Sequence, residues 1–175
     1  MTEEQNPGIE HWIDQTTAFD RVRSVAFSLQ RPQTAGQLAE SAHVSEKTAR
    51  GHLSRLVEMD TVLERTDEGP TTYYPDPGYI RYREVRSLAR DHKRDELTEI
   101  VATLKGDIED WRDEFNADTP DELRASVADA EVSESAVYER QTIAEDWEHT
   151  QYRLGLIKDA LTQYDCLTAQ PPAIA

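Results

Sequence analysis

Cysteine, lysine and long apolar runs are all scarce in this chain of 175 residues. The one cysteine, Cys166, cannot close an internal disulfide and leaves no cysteine-rich metal site, so it reads as a small apolar filler near a helix end. No apolar run approaches the roughly 20 residues needed to span a bilayer, and no membrane partner is expected. The opening stretch MTEEQNPGIE has no basic start and no apolar core, so it does not read as a signal peptide; a cytoplasmic protein is expected. There is no glycine-rich phosphate loop, no Gly-x-Ser-x-Gly elbow and no His-Glu-x-x-His, so neither catalysis nor a cofactor is expected. The five histidines are scattered at 11, 43, 52, 92 and 149. Glu145 with His149, and His92 between Asp91 and Asp95, read as exposed polar groups on helices rather than as metal ligands.

Acid is what the chain has in excess: 35 acidic against 19 basic residues, a formal charge of −16. Only four of the basic residues are lysine, at positions 47, 93, 105 and 158. This balance resembles that of proteins from salt-in halophilic archaea. There carboxylates keep the surface hydrated, and molar salt screens their repulsion to about 3 Å. A disordered chain and a binder of basic proteins are the competing readings, and helical patterning over most of the length argues against the first. The charge is uneven. Residues 1–16 hold four acids and no base, residues 17–75 a net −1, and residues 76–175 a net −11. Negative charge is disfavoured in the middle segment, as a polyanionic partner would require.

The spacing divides the chain into a polar leader over 1–16, with Trp12 and Ile13 as anchors, a first domain over 17–77, a helical region over 78–165 and a loose tail over 166–175. A first helix is expected over 17–30, capped by Thr16 or Thr17, with Phe19, Val22, Val25, Ala26 and Leu29 on its buried face. A short second helix starts at Thr34 with Leu38 and Ala39 inside. Ser45 is the N-cap of a third helix over 45–59, whose inner side carries Ala49, Leu53, Leu56 and Val57. The period then changes to that of strands over 61–66 and 71–74, with Asp67, Glu68, Gly69 and Pro70 as the turn. From Leu97 the apolar positions fall at 97, 101, 104, 108, 111 and 115, a heptad seam. A short helix follows over 120–130, with proline at its first position. A last long helix from Ser133 carries apolar residues at 143, 147, 154, 157, 161 and 164. The expected fold class is thus mainly α with a small β-hairpin wing: a winged helix-turn-helix followed by a long-helix hairpin or coiled coil.

Three short helices and a two-stranded hairpin within about sixty residues form the winged helix-turn-helix plan. The stretch TAGQLAESAHVSEKTARGHLSRLVEMDTVLER resembles the DNA-reading half of ArsR, MarR and TrmB regulators. The resemblance rests on Leu38 and Ala39 in the support helix, Val44 and Ser45 at the turn, and Thr48, Ala49, Leu53, Leu56 and Val57 beyond it. In wording, the chain is similar to a haloarchaeal regulator family with TAFDRVRSV near its start and TTYYPDP after the wing. The resemblance implies a transcription factor and double-stranded DNA as its partner, with no known ligand.

With the inner side of the third helix fixed, its opposite side carries Lys47, Gly51, Ser54 and Arg55, flanked by Arg50 and His52. Arginine, lysine and serine suit guanine edges and phosphates in the major groove; the plainer alternative is an ordinary solvated face. The expected DNA-contacting set is Ser45, Lys47, Thr48, Arg50, His52, Ser54 and Arg55, assisted by Arg65 and Thr71 from the wing over 61–75. The acidic tip, Asp67 and Glu68, opposes deep insertion beside phosphate. A second basic cluster, Arg81, Arg83, Arg86, Arg90, Lys93 and Arg94, reads either as a phosphate-tracking surface or as ion-pair partners of Glu139, Glu145 or Glu148. The two heptad seams pair within the chain, with a second chain, or both; a homodimer through 79–165 would read two half-sites. The rival reading is a winged helix used as a protein-interaction module without DNA reading. No effector is identified by the sequence.

Overall fold

Hydroxyl side chains begin three successive helices of the N-terminal part. The structure, a computed structural model, describes residues 7–127 and 133–169. Helix α1 (Pro7–Gln15) precedes α2 (Ala18–Phe27), whose N-cap Thr17 accepts a hydrogen bond from the Asp20 N–H at 3.1 Å. Strand β1 (Gln33–Thr34) runs into α3 (Ala35–Ser41), where Thr34 and Gln37 form a reciprocal capping box. Ser45 caps α4 (Glu46–Glu58) by accepting from the Thr48 N–H at 3.1 Å. Strands β2 (Val62–Arg65) and β3 (Thr72–Pro75) follow.

The sheet is antiparallel with the order β1-β3-β2; Gln33 lies opposite Tyr73, and Leu63 opposite Tyr74. The sequence pattern indicates a two-stranded hairpin, whereas the sheet has three strands. Two residues are too few to display a strand period, so β1 is visible only through its pairing with β3. The leader also differs from expectation over its described part. Residues 7–15 are helical, and residues 1–6 lie outside the described segment.

The chain forms two compact units, Met1–Arg81 and Tyr82–Ala175. The core of the first holds Val22, Ala26, Leu38, Ala49, Leu53, Leu56 and Val62, all nearly or fully buried. Phe19, Val25 and Val57, placed by periodicity on inner faces, are only partly buried against it. One charged residue joins this core. Arg21, 8% exposed, donates from Nε to the Ala42 carbonyl at 2.9 Å and from Nη1 to the carbonyls of Thr16 at 2.7 Å and Ile13 at 3.2 Å. The guanidinium thus joins the C-terminal end of α1 to that of α3, where carbonyls lack helical partners and the helix dipole is negative. Ala42 caps α3, and His43 beyond it adopts a left-handed backbone, φ 51°, the usual geometry of a helix stop. The Trp12 and His43 rings meet edge to face at 6.2 Å, so α1 also touches this turn.

Helix α5 (Pro77–Asp91) begins in the first unit and continues into the second. Helix α6 (Arg94–Phe115) ends at Asn116, φ 47°, and α7 (Pro120–Ala125) starts at the Thr119 cap. Helix α8 (Glu134–Thr162) begins at the Ser133 cap, and α9 (Tyr164–Thr168) follows. The expected short helix stops at Ala125, with 128–130 outside the described residues. Of the loose tail expected over 166–175, residues 166–168 are instead helical in α9, and 170–175 lie outside the described residues. Cys166 lies in α9 and is exposed, not a buried filler, because α9 contributes no buried residue.

The two heptad seams meet within the chain. Leu97, Leu104 and Ile108 of α6 pack with Ala144, Trp147, Leu154 and Ile157 of α8. The order is antiparallel: the Trp111 and Trp147 rings lie 6.1 Å apart near one end, and Arg94 meets Asp165 at 3.3 Å near the other. Arg124 of α7 pairs with Glu148 of α8, one bond being 2.8 Å, and this hydrogen bond holds the Glu148 carboxyl below its ordinary pKa. Glu148 is therefore engaged by Arg124, and Arg94 takes Asp165 instead of an acid at 139, 145 or 148. Among the described residues no helix is long and apolar enough to cross a membrane.

The bonds of Arg21 predict that Arg21→Met, which keeps bulk but removes the donors, lowers stability in urea unfolding by about 2–3 kcal/mol, the cost of orphaned carbonyls. Unchanged stability would show that these bonds do not hold α1 and α3 in place.

Candidate nucleic-acid interface

The exposed side of α4 is fixed by what its other side buries. Ala49, Leu53 and Leu56 are at most 1% exposed, so Lys47, Gly51, Ser54 and Arg55 face outward on the opposite arc. Lys47, Thr48, Gly51, His52 and Arg55 together line one shallow depression on this surface.

Phe19 of α2 organises one wall of it. The Arg55 guanidinium lies over the Phe19 ring, 5.1 Å from its centroid, and the His52 ring meets the same phenyl edge-on at 5.5 Å. A guanidinium on an aromatic face keeps its N–H groups free around the rim while its carbon stem loses freedom. Phe19 is absent from the sequence-derived site because its spacing places it on the buried face of α2. No local signal couples it to residues 33 and 36 positions further on.

The remaining expected residues divide into three groups. Ser45 caps the helix, its hydroxyl oxygen 2.8 Å from that of Thr48 in the first turn, and Ser54 is exposed. Arg50 is engaged by Glu46 one turn earlier, with Nε to Oε1 at 3.1 Å and Nη2 to Oε1 at 2.5 Å. The hydrogen bond to Glu46 raises the Arg50 pKa further, so its charge is permanent but locally offset. Arg65 and Thr71 sit on the hairpin, outside the residues lining the depression. Arg65 pairs with Asp67 at 2.5 Å, and Thr71 shares a hydroxyl contact of 2.7 Å with Thr66. One of the two acids at the hairpin tip is therefore already compensated from within the hairpin.

Lys47 and Arg55 have no carboxylate within ion-pair distance among the described residues. In a chain of formal charge −16 the depression is thus locally cationic. A Cβ built on Gly51 would meet nothing within 4 Å, so interior packing does not demand glycine there. The group fits an extended anion approaching closely along α4. Among the described residues, no cluster of three or more histidine, cysteine or acidic side chains could hold a metal ion.

Architecture and surface thus define a mainly helical, two-unit protein with a small antiparallel sheet and a cationic helix face in its first unit. The chain belongs to a family of unknown function, DUF7342, which matches it over residues 16–166. It is also similar to the chaperone protein ClpB of Nitratidesulfovibrio vulgaris, at 28% identity over 103 residues. That stretch is 59% of this chain but 11% of the chaperone, so the chain spans only a small part of this relative's length. No solved structure matches the chain.

Open space around Gly51 predicts that Gly51→Ala raises thermal stability by about 0.8–1 kcal/mol, the propensity difference inside an exposed helix. A lowered melting temperature would mean that the position is conformationally constrained after all.

Proposed function

We propose that this protein is a sequence-specific DNA-binding transcriptional regulator of winged helix-turn-helix type. In this reading α4 enters the major groove and the β2–β3 hairpin rests beside the backbone as the wing. The observation that carries it is the uncompensated cationic face of α4, with Lys47, His52 and Arg55 around Gly51 and Arg55 stacked on Phe19. The order of elements supports it. Helices α2, α3 and α4 share one core, the α3–α4 turn is tight, and the hairpin follows directly. Arg55 and Lys47 then contact guanine edges or phosphates, while Gly51 lets the helix axis approach the duplex. Arg50 acts from the flank, sharing its charge with Glu46. The Arg65–Asp67 pair weakens the repulsion that an acidic wing tip offers to phosphate.

The same reading assigns the protein to the cytoplasm of a halophilic archaeon and makes it a homodimer through 79–165, with two copies reading two half-sites. The α6–α8 pairing uses much of both seams within one chain. A dimer surface is then formed from what that pairing leaves outside, including exposed Tyr138. No catalytic step and no cofactor are part of the proposal.

The test is fluorescence anisotropy of the full chain with its own upstream DNA in about 2 M KCl, a screened condition. Wild type binds specifically, and Lys47→Ala/Arg55→Ala abolishes binding. Gly51→Ala, folded and more stable, binds about tenfold more weakly because its methyl group holds the helix off the groove. At −16 the protein cannot rely on net attraction, so its affinity falls only shallowly, or rises, with salt, unlike ordinary counterion release. A steep loss between low and moderate salt contradicts the salt argument. A folded protein that binds no duplex in any salt overturns the DNA reading in favour of a protein-interaction module.

A further inference from the structure

We propose that the groove between α6 and α8 is a binding site for a small organic phosphate monoester. The proposal does not depend on the DNA reading, since every residue of the groove lies in the second unit. Lys105, Glu109 and Arg112 follow one another at helical spacing on α6, as do Gln151, Leu154 and Lys158 on α8. Together with Ile108 they line a groove of about 330 Å³, within the range of about 300–1,000 Å³ typical of small-molecule sites. Ile108 and Leu154, 7% and 8% exposed, supply its apolar surface.

The charge of this groove runs against its surroundings. Tyr82–Ala175 carries 22 acidic and 11 basic residues, yet the groove holds three cations and one anion, a net +2. Two of the unit's three lysines are here. Neither Lys105 nor Lys158 has a carboxylate within ion-pair distance among the described residues. The Arg112 Nε donates to the Asp118 carbonyl at 3.4 Å, which leaves its terminal N–H groups available. Three cations gathered around a single acid, Glu109, are incompletely neutralised until an anion joins them. A phosphate monoester brings about −1.5 to −2 at neutral pH, close to the groove's own charge, in one compact group. Lysine meets phosphate as a point charge and arginine as a two-pronged donor. The carbon body then lies over the Ile108 and Leu154 floor and along the aliphatic stems of Lys105, Arg112 and Lys158, and Gln151 and Glu109 can bond its hydroxyl or amino groups.

Isothermal titration of the full chain at neutral pH tests this with phenyl phosphate, inorganic phosphate and benzoate, and melting temperatures provide a second readout. Phenyl phosphate binds one-to-one and most tightly of the three, and it raises the melting temperature. Lys105→Gln/Lys158→Gln, exposed changes that leave the fold intact by thermal unfolding, weakens it about a hundredfold, about tenfold for each lost charge-assisted contact. Arg153→Gln, an exposed charge on the same helix outside the groove, leaves affinity unchanged. Absence of both heat and melting shift with all three probes overturns the proposal. So does benzoate or inorganic phosphate binding as tightly as phenyl phosphate, or an equal loss in Arg153→Gln.

Discussion

A buried guanidinium that bonds carbonyls, with no carboxylate partner among the described residues, organises the first unit. Arg21 spends its donors on three carbonyls, from Ile13, Thr16 and Ala42, which close α1 and α3. Carbonyls at helix ends lie at the negative pole of the dipole and lack intrahelical donors, so one planar cation can satisfy several at once. The Ala42 bond matters most for the surface, because Ala42 and His43 form the turn that aims α4. Once that turn is fixed, the burial of Ala49, Leu53 and Leu56 sets the rotation of α4 and hence which of its side chains face outward. The cationic depression is a consequence of that placement.

Acidity makes a local gathering of cations informative. Some basic side chains pair with a carboxylate nearby, as Arg50 does with Glu46, Arg65 with Asp67 and Arg124 with Glu148. Such exposed pairs contribute little stability, but they cancel local field. Lys47 and Arg55 on α4, and Lys105 and Lys158 in the α6–α8 groove, are left uncancelled among the described residues. In the proposals above, an extended anion approaches the first pair at the helix face and a compact one the second pair in the groove.

Much of this was legible in the sequence, where a local rule dominates. Ser45 followed by apolar positions at 49, 53 and 56 encodes both the start and the inner face of α4. The seam from Leu97 to Phe115 encodes an apolar stripe on α6. What the sequence leaves open depends on distant partners. A heptad stripe does not say whether its complement lies in the same chain; the antiparallel order shows only in contacts such as Arg94 with Asp165, 71 positions away. Strand β1 is too short to carry a period, and α1 is held from outside by Arg21. Phe19 has the spacing of a core residue; only the tertiary fold brings Arg55 and His52 onto its ring.

The central claim is that the outward face of α4 meets duplex DNA, and lysine scarcity makes a direct test possible. Of four lysines, Lys47 alone belongs to the first unit, while Lys93, Lys105 and Lys158 belong to the second. Acetylation of lysines read by mass spectrometry, with and without upstream duplex, reports each one separately. The account predicts strong protection of Lys47 by the duplex and undiminished modification of Lys105 and Lys158. Lys47 modified at the same rate in both samples, with the duplex demonstrably bound, would contradict it.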